Sequence, residues 1–373
     1  MKKIIVLGCG MVGSAIVLDL HKRHNVTATD FNQEVLDAIK LRDNVATMRL
    51  DCSDHHALKK AVSGFDLAVC AVPGFLGFET LKALIEAQID VVDISFFPEN
   101  ALELNDLAIE KGVTVVVDIG VAPGLDNLIL GHHNANMQVD FFECLVGGLP
   151  SARTFPYQYK APFSPADVVE EYLRPARLYE SGKIVTKPAL SEPEYIEFDD
   201  LGTLEAFNTD GLRSLLFTMS HIPDMREKTL RYPGHRDQML ALRSAGFLSD
   251  DKININGVDI SPRDFTSKIL FNSWKLGDTE DEFTVMRVTV KGEGKTHVWD
   301  LLDRTDHQTA TSSMARTTGY TCCAVVESVL SCSWKQPGVS PGELIGSNFQ
   351  IFTDVLQFLG ERNIYLKHIT IED

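Results

Sequence analysis

Three glycines near the N-terminus have a spacing suited to anion-binding chemistry. Gly8, Gly10 and Gly13 form the string GCGMVG between an apolar β-type run, KKIIVLG, and a helical pattern. In such a loop the first glycine permits a tight turn, the second lets backbone approach a pyrophosphate, and the third lets helix and strand pack closely. The N–H groups of the following helix N-terminus would face the phosphates, so Met11 and Val12 join the predicted contact. The spacing therefore predicts a dinucleotide cofactor.

An acid at the end of the second β-type run indicates which dinucleotide. Asp30 ends NVTATD, within the offset of about 20 residues expected for a ribose-binding acid. Its carboxylate can accept hydrogen bonds from both ribose hydroxyls, and it would repel a 2′-phosphate. Phe31 and Asn32 carry no positive charge, and the first arginine that follows is Arg42. We therefore expect NAD rather than NADP.

Two further strand ends supply the remaining predicted cofactor contacts. Asp51 and Cys52 follow the third β-type run and would lie near the adenine, although Asp51 could equally be a solvated strand end or a helix cap. The fourth run is followed by three residues expected to line the pyrophosphate and the nicotinamide ribose, namely Ala71, Val72 and Pro73.

These residues require elements that bring strand ends together at one edge of a sheet. Over the first 120 residues, β-type runs alternate with helical patterns such as NQEVLDAIKL and FETLKALIEA. Apolar runs without polar alternation indicate strands that are buried on both faces, which is typical of a parallel sheet covered by helices. The repeated βαβ order predicts a Rossmann-type, doubly wound α/β domain over residues 1–125.

The pattern changes after about residue 126. Helical patterns become rarer, and FTVMRVTVKGEG and KTHVWDLLD indicate antiparallel strands joined near glycines. We expect an α+β domain with a mixed or antiparallel sheet over residues 126–311. SSMARTTGYTCCAVVESVLS predicts a long buried helix.

Charge and hydropathy exclude several classes of partner. The net charge is −17, and this composition disfavours both nucleic acid and anionic membrane. No apolar run approaches the roughly 18 residues of a membrane span, and MKK leads straight into a β-type run without a signal peptide. We therefore expect a cytoplasmic protein.

Cysteine and histidine spacing argues against structural cross-links. The seven cysteines are an odd number without a CxxC pair, which favours free thiols in a reducing compartment. His55–His56 and His132–His133 are adjacent pairs, whose rings point in different directions on a helix or strand. The spacing therefore predicts no metal site.

Five motifs resemble one family in their order along the chain. DIGVAPGLDN, VGGLP, EAFNTDG, KTLRYPGH and MARTTGYT are similar to motifs of the saccharopine dehydrogenase-like family over nearly the whole chain. The resemblance implies that residues 126–311 form a catalytic and dimerisation domain, so that a homodimer or higher homo-oligomer is expected. It also implies that the segment from about 312 to 373 returns to the NAD-binding domain.

The same resemblance implies NAD-linked oxidation of a primary amine in a small-molecule substrate. The pattern is closest to members that deaminate L-lysine at its ε-carbon. Ala122 stands where saccharopine reductases have an aspartate, whereas Ser95 and Phe96 depart from the small, glycine-rich loop of lysine-oxidising members. The alternatives are an imine-forming reductase of the saccharopine or carboxy-polyamine type, and a non-catalytic protein that senses NAD.

Amine oxidation requires a neutral amine, so a base should lie near the substrate. Asp118 in DIGVAPGLDN, Asp210 in NTDG and His235 in YPGH are candidate bases, and each could instead stabilise a turn or cap a helix. Glu205 is a further acid that could approach the amines. The sequence leaves the choice among them open.

A substrate carboxylate requires a cation, for which an arginine fork is well suited. Arg231 resembles the carboxylate-binding arginine of the family, and Arg316 in MART is the second candidate. Tyr157 and Tyr159 are candidate walls of the pocket, although tyrosines near prolines also serve as core residues.

Overall fold

The computed structural model describes residues 1–161, 165–277 and 280–372. The strands are β1 Lys3–Leu7, β2 Asn25–Asp30, β3 Ala46–Arg49, β4 Leu67–Cys70, β5 Asp90–Asp93, β6 Thr114–Val117, β7 Phe141–Pro150, β8 Ala176–Glu180, β9 Lys183–Lys187, β10 Glu194–Phe198, β11 Gly202–Asn208, β12 Asp224–Arg231, β13 Ile253–Ile255, β14 Val258–Ile260, β15 Glu282–Gly292, β16 Lys295–Arg304, β17 Gly338–Pro341 and β18 Leu366–Glu372. The helices are α1 Met11–Leu20, α2 Gln33–Asp43, α3 His55–Ala61, α4 Gly74–Glu86, α5 Asn105–Lys111, α6 Leu125–Asn134, α7 Pro165–Leu173, α8 Leu215–Thr218, α9 His235–Ser244, α10 Pro262–Trp274, α11 Ser313–Leu330, α12 Gly342–Gly346 and α13 Phe349–Gly360, and a 3₁₀ turn spans Ala101–Leu104.

The first sheet is parallel throughout and has the strand order β17-β6-β5-β4-β1-β2-β3. Its central strands β4 and β6 are buried along their whole length, because helices cover both faces. The predicted doubly wound α/β fold is confirmed. The carboxyl ends of its strands meet at one edge, where the glycine loop, residues 71–73 and the DIGVAPGLDN turn come together.

The second sheet is mixed and has the order β10-β11-β12-β7-β15-β16-β18, with β8 and β9 attached at β12. Only the β12–β7 pair is parallel among its described strands. The predicted hairpin of β15 and β16 is confirmed, and its turn follows the Gly292–Lys295 pair. The expected α+β architecture with a mixed sheet is therefore confirmed.

The segment after residue 312 contributes one strand to each of the two large sheets. The predicted long buried helix is α11, which packs against α1 and α13, and β17 joins the first sheet beside β6. Arg362, after α13, donates two hydrogen bonds to Asp19 of α1, at 2.9 and 3.0 Å. The last strand differs from the expectation for residues 312–373, because β18 pairs with β16 and forms an edge of the second sheet.

The turn of residues 120–124 leads from β6 into α6. Gly124 has a φ of +144°, and a Cβ atom there would lie 2.1 Å from the carbonyl oxygen of Gly120. Its N–H donates to the Asp126 carboxylate at 2.8 Å, which satisfies the start of α6. The chain therefore reverses sharply at the carboxyl edge of the first sheet. Among the described residues, no helix is long and apolar enough to cross a membrane.

The close crossing of α6 and α12 generates a stability prediction. A Cβ atom at Gly131 would lie 2.0 Å from the carbonyl oxygen of Glu343. Gly→Ala in a helix normally stabilises by up to about 1 kcal/mol, but here the helices must separate, so we expect Gly131→Ala to lower the free energy of unfolding by about 1–3 kcal/mol. Urea denaturation followed by circular dichroism measures the change.

Gly360→Ala at the end of α13 is the matched control. A Cβ atom at Gly360 would meet its nearest neighbour, the Tyr365 ring, at 3.6 Å, which is an ordinary contact. This variant should be as stable as the parent protein or slightly more stable. Equal stability of the two variants would show that the helix crossing tolerates a methyl group.

Candidate active site

A cavity of about 540 Å³ lies between the carboxyl edge of the first sheet and the facing side of the second sheet. Its volume falls within the range of about 300–1,000 Å³ that is usual for ligand sites. Every predicted cofactor residue lines it, namely Gly8, Gly10, Met11, Val12, Gly13, Asp30, Asp51, Cys52, Ala71, Val72 and Pro73. Loops that follow parallel strands are thus brought to one place.

The glycine loop is shaped to receive a pyrophosphate. Gly8 has a φ of +88°, and a Cβ atom there would lie 2.4 Å from the Ala71 carbonyl oxygen. A Cβ atom at Gly13 would lie 2.0 Å from the Gly8 carbonyl oxygen, so the helix packs directly on the loop. Space beside Gly10 is open, and no side chain caps the N-terminus of α1. Free N–H groups at an uncapped helix N-terminus fit an anion.

Asp30 is held by two backbone donors at the cavity wall. The N–H of Cys9 donates to Oδ2 and the N–H of Asn32 donates to Oδ1, both at 2.9 Å. Arg49 lies opposite Asp30 in the β2–β3 register, and its Nε donates to the Phe31 carbonyl oxygen at 3.0 Å. Arg49 does not line the cavity. The sequence analysis did not predict that Arg49 lies near Asp30, because the two residues meet only through the parallel pairing of β2 with β3.

Asp51 lies at the cavity wall, and the cap of the following helix α3 is Asp54. The Oδ1 of Asp51 accepts hydrogen bonds from the N–H and hydroxyl of Ser53, which lower the pKa of Asp51. The neighbouring Cys52 is buried, and burial raises the pKa of its thiol to about 12. Cys52 therefore contributes an apolar wall and no thiolate.

Asp118 lines the cavity as a partner in a buried ion pair. The Nε of Arg213 donates to its Oδ1 at 2.7 Å, and both side chains are at most 6% exposed. Arg213 also donates to the carbonyl oxygen of Phe97, and its guanidinium lies 4.9 Å from the ring centroid of Phe96. The carboxylate is thus neutralised by a positioned cation, which suits a structural role better than proton transfer.

Asp210 is also occupied by an arginine. Arg177 donates from Nε to Oδ1 and from Nη2 to Oδ2, both at 2.9 Å, and its backbone N–H adds a third bond at 3.1 Å. Asp210 lines the cavity, but a bidentate fork holds both carboxylate oxygens. The expectation of a free base at Asp210 therefore finds no support in this geometry.

His235 lies outside the cavity lining, in a buried aromatic cluster. Burial and the charge of Arg231 together lower the pKa of His235 to about 3, so the ring is neutral. Its Nδ1 donates to the Tyr157 carbonyl oxygen at 2.9 Å, which leaves Nε2 to accept from the Tyr172 hydroxyl at 3.0 Å. The expectation that His235 acts as a base is therefore wrong, because the Pro–Gly bend turns its ring into the core and away from the cavity.

Arg231 lines the cavity and is linked to His235 through the Tyr172 hydroxyl. Its Nε donates to the Tyr172 hydroxyl at 3.0 Å, and its Nη2 donates to Glu171 at 3.2 Å. The ring centroid of Tyr159 lies 4.6 Å from its guanidinium carbon. Burial opposes the charge, but the neighbouring tyrosines and Glu171 outweigh it and raise the pKa of Arg231.

Two other predicted site residues, Arg316 and Tyr157, lie outside the cavity lining. Arg316 points to the C-terminal segment, where it donates to the Arg362 carbonyl oxygen. The cavity face of α11 instead carries Met314 and Thr318, which are one helical turn apart. The Tyr157 ring packs edge-on against Trp274 in the core.

Glu205 also lies outside the lining. Its carboxylate accepts from the Gly234 N–H at 3.2 Å, and burial raises its pKa. It therefore stabilises the bend before α9.

Glu227 is an acidic site residue that the sequence analysis did not predict. It lines the cavity, it is 8% exposed, and its Oε2 accepts from the Thr209 hydroxyl at 3.1 Å. Among the described residues, no cationic side chain lies within ion-pair distance of it. Burial raises the pKa of Glu227 well above its ordinary value, and the charge of Glu171 adds to the shift. Such a carboxyl group is suited to exchange protons with a ligand.

The signal for Glu227 was present in the strand periodicity. Glu227, Thr229 and Arg231 alternate along β12, so their side chains share one face, and all three line the cavity. Gly211 leaves room for the acid, because a Cβ atom there would lie 1.8 Å from Glu227 Oε2.

Helix α7 supplies the opposite wall. Asp167, Glu171 and Arg174 follow helical spacing and line the cavity together. Burial raises the pKa of Glu171 to about 7, against the lowering effect of Arg231. The guanidinium of Arg174 lies over the Phe96 ring, 5.4 Å from its centroid. The second-sheet half of the cavity thus presents acids and arginines together, which suits a ligand with both amine and carboxylate groups.

Comparison with known proteins identifies the family. Residues 4–116 match the family model described as "Saccharopine dehydrogenase NADP binding domain", and residues 120–364 match "Saccharopine dehydrogenase C-terminal domain". The chain therefore belongs to the saccharopine dehydrogenase-like family, which confirms the resemblance drawn from the five motifs.

Individual relatives agree with this assignment. Saccharopine dehydrogenase [NADP(+), L-glutamate-forming] of Saccharomyces cerevisiae is 27% identical over 267 residues, which are 67% of this chain and 59% of that protein. The mitochondrial alpha-aminoadipic semialdehyde synthase of Mus musculus is 24% identical over 66% of this chain and 28% of its own length. The structure of apo saccharopine dehydrogenase (L-Glu forming) from Saccharomyces cerevisiae shares the fold, with a TM-score of 0.80, 22% identity and full coverage of both chains.

The buried Asp118–Arg213 pair generates a second prediction. Arg213→Met leaves Asp118 as a buried charge without its partner, so we expect a loss of about 3–5 kcal/mol in the free energy of unfolding. Arg263→Met is the control at the surface, because the acids left without this arginine, Glu170 and Asp250, are 40% and 71% exposed and stay solvated, so the loss should be smaller. Urea denaturation compares the two variants. Equal and small losses would contradict a structural role for Asp118 and reopen its candidacy as a base.

Proposed function

We propose that this chain is an NAD-dependent dehydrogenase that oxidises L-lysine at its ε-carbon. Transfer of hydride from the ε-carbon to NAD would give an imine and NADH, and water would hydrolyse the imine to ammonia and 2-aminoadipate 6-semialdehyde, which cyclises to Δ1-piperideine-6-carboxylate. The observation that carries the proposal is a single cavity that joins the glycine loop and Asp30 to Glu227 and Arg231. Bound NAD supplies the hydride acceptor.

The surroundings of Asp30 support NAD. Its two bonds to backbone N–H groups leave lone pairs free for ribose hydroxyls, whereas a 2′-phosphate would meet a carboxylate. Arg49 is the nearby cation that could favour a phosphate. Its Nε donates to the Phe31 carbonyl oxygen, however, and Arg49 does not line the cavity. The family model and the yeast relative carry NADP in their names, and the screen described below compares the two cofactors.

Glu227 is the proposed base. A lysine ε-ammonium has an ordinary pKa near 10.4, so its proton must leave before hydride transfer. A buried carboxylate whose pKa is raised binds a proton more readily than an exposed one, which narrows the gap to the amine. The Thr209 hydroxyl holds Oε2 in place, and Gly211 leaves the carboxyl group unobstructed.

Arg231 is the proposed anchor for the α-carboxylate. Tyr172 and the neutral His235 hold its guanidinium through consecutive hydrogen bonds, so both act as positioning residues. Glu171 shares the Nη2 group of Arg231, and a substrate carboxylate would replace it there. Arg174 adds a second cation to the same wall.

A saccharopine-type imine reductase is the second candidate. It is favoured by the names of the yeast and mouse relatives, and by a second arginine, Arg174, that could bind an additional carboxylate. Ala122 weighs against it, because saccharopine reductases carry an aspartate at the matching place. A non-catalytic NAD sensor would bind the cofactor and turn over no amine.

Several broader assignments belong to this proposal. We propose residues 1–125 as the NAD-binding domain and 126–311 as the catalytic domain, with most of the segment after 312 returning to the first. A homodimer follows from the family resemblance. A cytoplasmic, reducing environment is supported by seven free cysteines, of which only Cys332 is exposed.

The proposal is tested by a substrate and cofactor screen. L-lysine, L-ornithine and saccharopine are each incubated with NAD or NADP, and reduced nicotinamide is followed by absorbance. We expect the highest kcat/KM for L-lysine with NAD, and ε-¹⁵N-lysine should release its label as ammonia. Rapid turnover of saccharopine without turnover of lysine would establish the second candidate, and release of α-¹⁵N would overturn the site of oxidation.

Two variants check the cofactor assignment within this screen. Asp30→Ala should lose at least about tenfold in NAD affinity, because hydrogen bonds to charged groups contribute about 1.5–3 kcal/mol, and it should discriminate less against NADP. Arg49→Ala is the matched control and should leave NAD affinity unchanged. A parent protein that uses NADP equally well or better would show that Asp30 does not set the preference.

Glu227 generates a separate prediction about pH dependence. Only its carboxylate form accepts a proton, so kcat/KM should rise with pH through the raised pKa of Glu227. Glu227→Gln should lower kcat by about 100- to 10,000-fold and remove this limb of the pH profile, while NADH binding stays unchanged.

Glu205→Gln is the matched control for that variant. Glu205 is also a buried glutamate with a raised pKa, but it lies outside the cavity. Its replacement should leave both kcat and the pH profile close to those of the parent. A Glu227→Gln enzyme that behaves in the same way would eliminate Glu227 as the base.

A further inference from the structure

Three histidines from distant parts of the chain meet on the second sheet. His133 lies on α6, His297 on β16 and His368 on β18. One ring nitrogen from each lies within 4.8 Å of the other two. None of the three lines the cavity, so the cluster plays no part in the proposed amine chemistry.

The register of the two edge strands explains the meeting. His297 pairs with Thr370 and Trp299 pairs with His368, so these four side chains share one face of the sheet. Helix α6 packs on that face and contributes His133, whose ring centroid lies 4.3 Å from that of His297. His133 is buried, His297 is half-buried and His368 is exposed, so the cluster is open to solvent on one side.

The spacing of the rings matches that of metal ligands. His297 Nδ1 and His368 Nε2 are 3.2 Å apart. Tetrahedral Zn²⁺ with bonds of about 2.0–2.1 Å places neighbouring ligand nitrogens about 3.3 Å apart. Two rings therefore already hold a ligand-like separation, and the third must approach by only a small side-chain movement.

Two polar contacts within the cluster already use ligand nitrogens, so a bound ion would displace them. His297 Nδ1 lies 3.1 Å from the Thr370 hydroxyl. His133 Nε2 accepts from the Trp299 indole N–H at 2.9 Å, and an ion at that nitrogen would displace the indole.

We propose that His133, His297 and His368 form a binding site for a divalent transition-metal ion, with Zn²⁺ as the best-suited ion. Three imidazoles with an open position fit Zn²⁺, whereas Mg²⁺ and Ca²⁺ require oxygen ligands, and the cluster found among the described residues contains none. The ion would clamp the edge strand β18 to β16 and α6. Spacing along the chain predicted no metal, because it could not reveal ligands that come from three separate elements.

The test uses the full-length, tag-free protein after dialysis against a chelator. Zn²⁺ is titrated in competition with a chromophoric chelator, and Co²⁺ is added separately to report tetrahedral geometry by its visible absorption. We expect one ion per chain and a change in tryptophan emission, because Trp299 stacks on His368 at a centroid distance of 4.0 Å. Bound Zn²⁺ should also raise the melting temperature.

The variants separate a metal site from a packed histidine cluster. His297→Gln/His368→Gln should lose at least about 100-fold in Zn²⁺ affinity, and His307→Gln, an exposed histidine outside the cluster, should lose none. If the double variant does not fold by circular dichroism, His368→Gln on the exposed strand takes its place. No binding by the parent at millimolar Zn²⁺, equal binding by the variants, or one ion per two chains would overturn the proposal.

Discussion

The buried ion pair of Asp118 and Arg213 is the interaction on which the geometry of the cavity depends. Asp118 follows β6 of the first sheet, and Arg213 comes from the connection between β11 and β12 of the second. The same arginine donates to the carbonyl oxygen of Phe97, beyond β5. One guanidinium thus joins loops from both sheets inside a region where water cannot compensate an unpaired charge. The walls that face each other across the cavity are held at a fixed separation.

The distribution of charge around this pair distinguishes structural acids from a reactive one. Asp118 and Asp210 each face an arginine, and Glu171 faces Arg231. Glu227 has a threonine hydroxyl instead of a cation, so burial raises its pKa without an opposing ion pair. The guanidinium of Arg231 opposes the rise in the pKa of Glu171 that burial causes, whereas no such cation opposes burial at Glu227. This contrast is the physical basis for proposing Glu227 as the proton acceptor.

Arg231, the proposed anchor for a carboxylate, is oriented by residues that do not line the cavity. His235 is neutral and fixed by the Tyr157 carbonyl oxygen, so it can only accept from Tyr172. Tyr172 in turn accepts from Arg231. A chain of defined donors and acceptors therefore orients the guanidinium, and the PGH bend contributes by placing a ring in the core. His235 of the YPGH motif was predicted as a base, but in the structure it helps to position Arg231 through Tyr172.

The parallel sheet, the glycine loop and the place of Asp30 at the end of β2 could be predicted from the sequence, because these features depend on local periodicity and on fixed offsets along the chain. The long helix α11 and the β15–β16 hairpin were predictable for the same reason. The pairing of the acids could not be predicted, because Arg177, Arg213 and Arg231 reach their partners from other elements of the fold. The tertiary structure also brought Arg49 beside Asp30 and gathered three histidines from α6, β16 and β18. Charge pairing and burial act through space, so neither can be inferred from spacing along the chain.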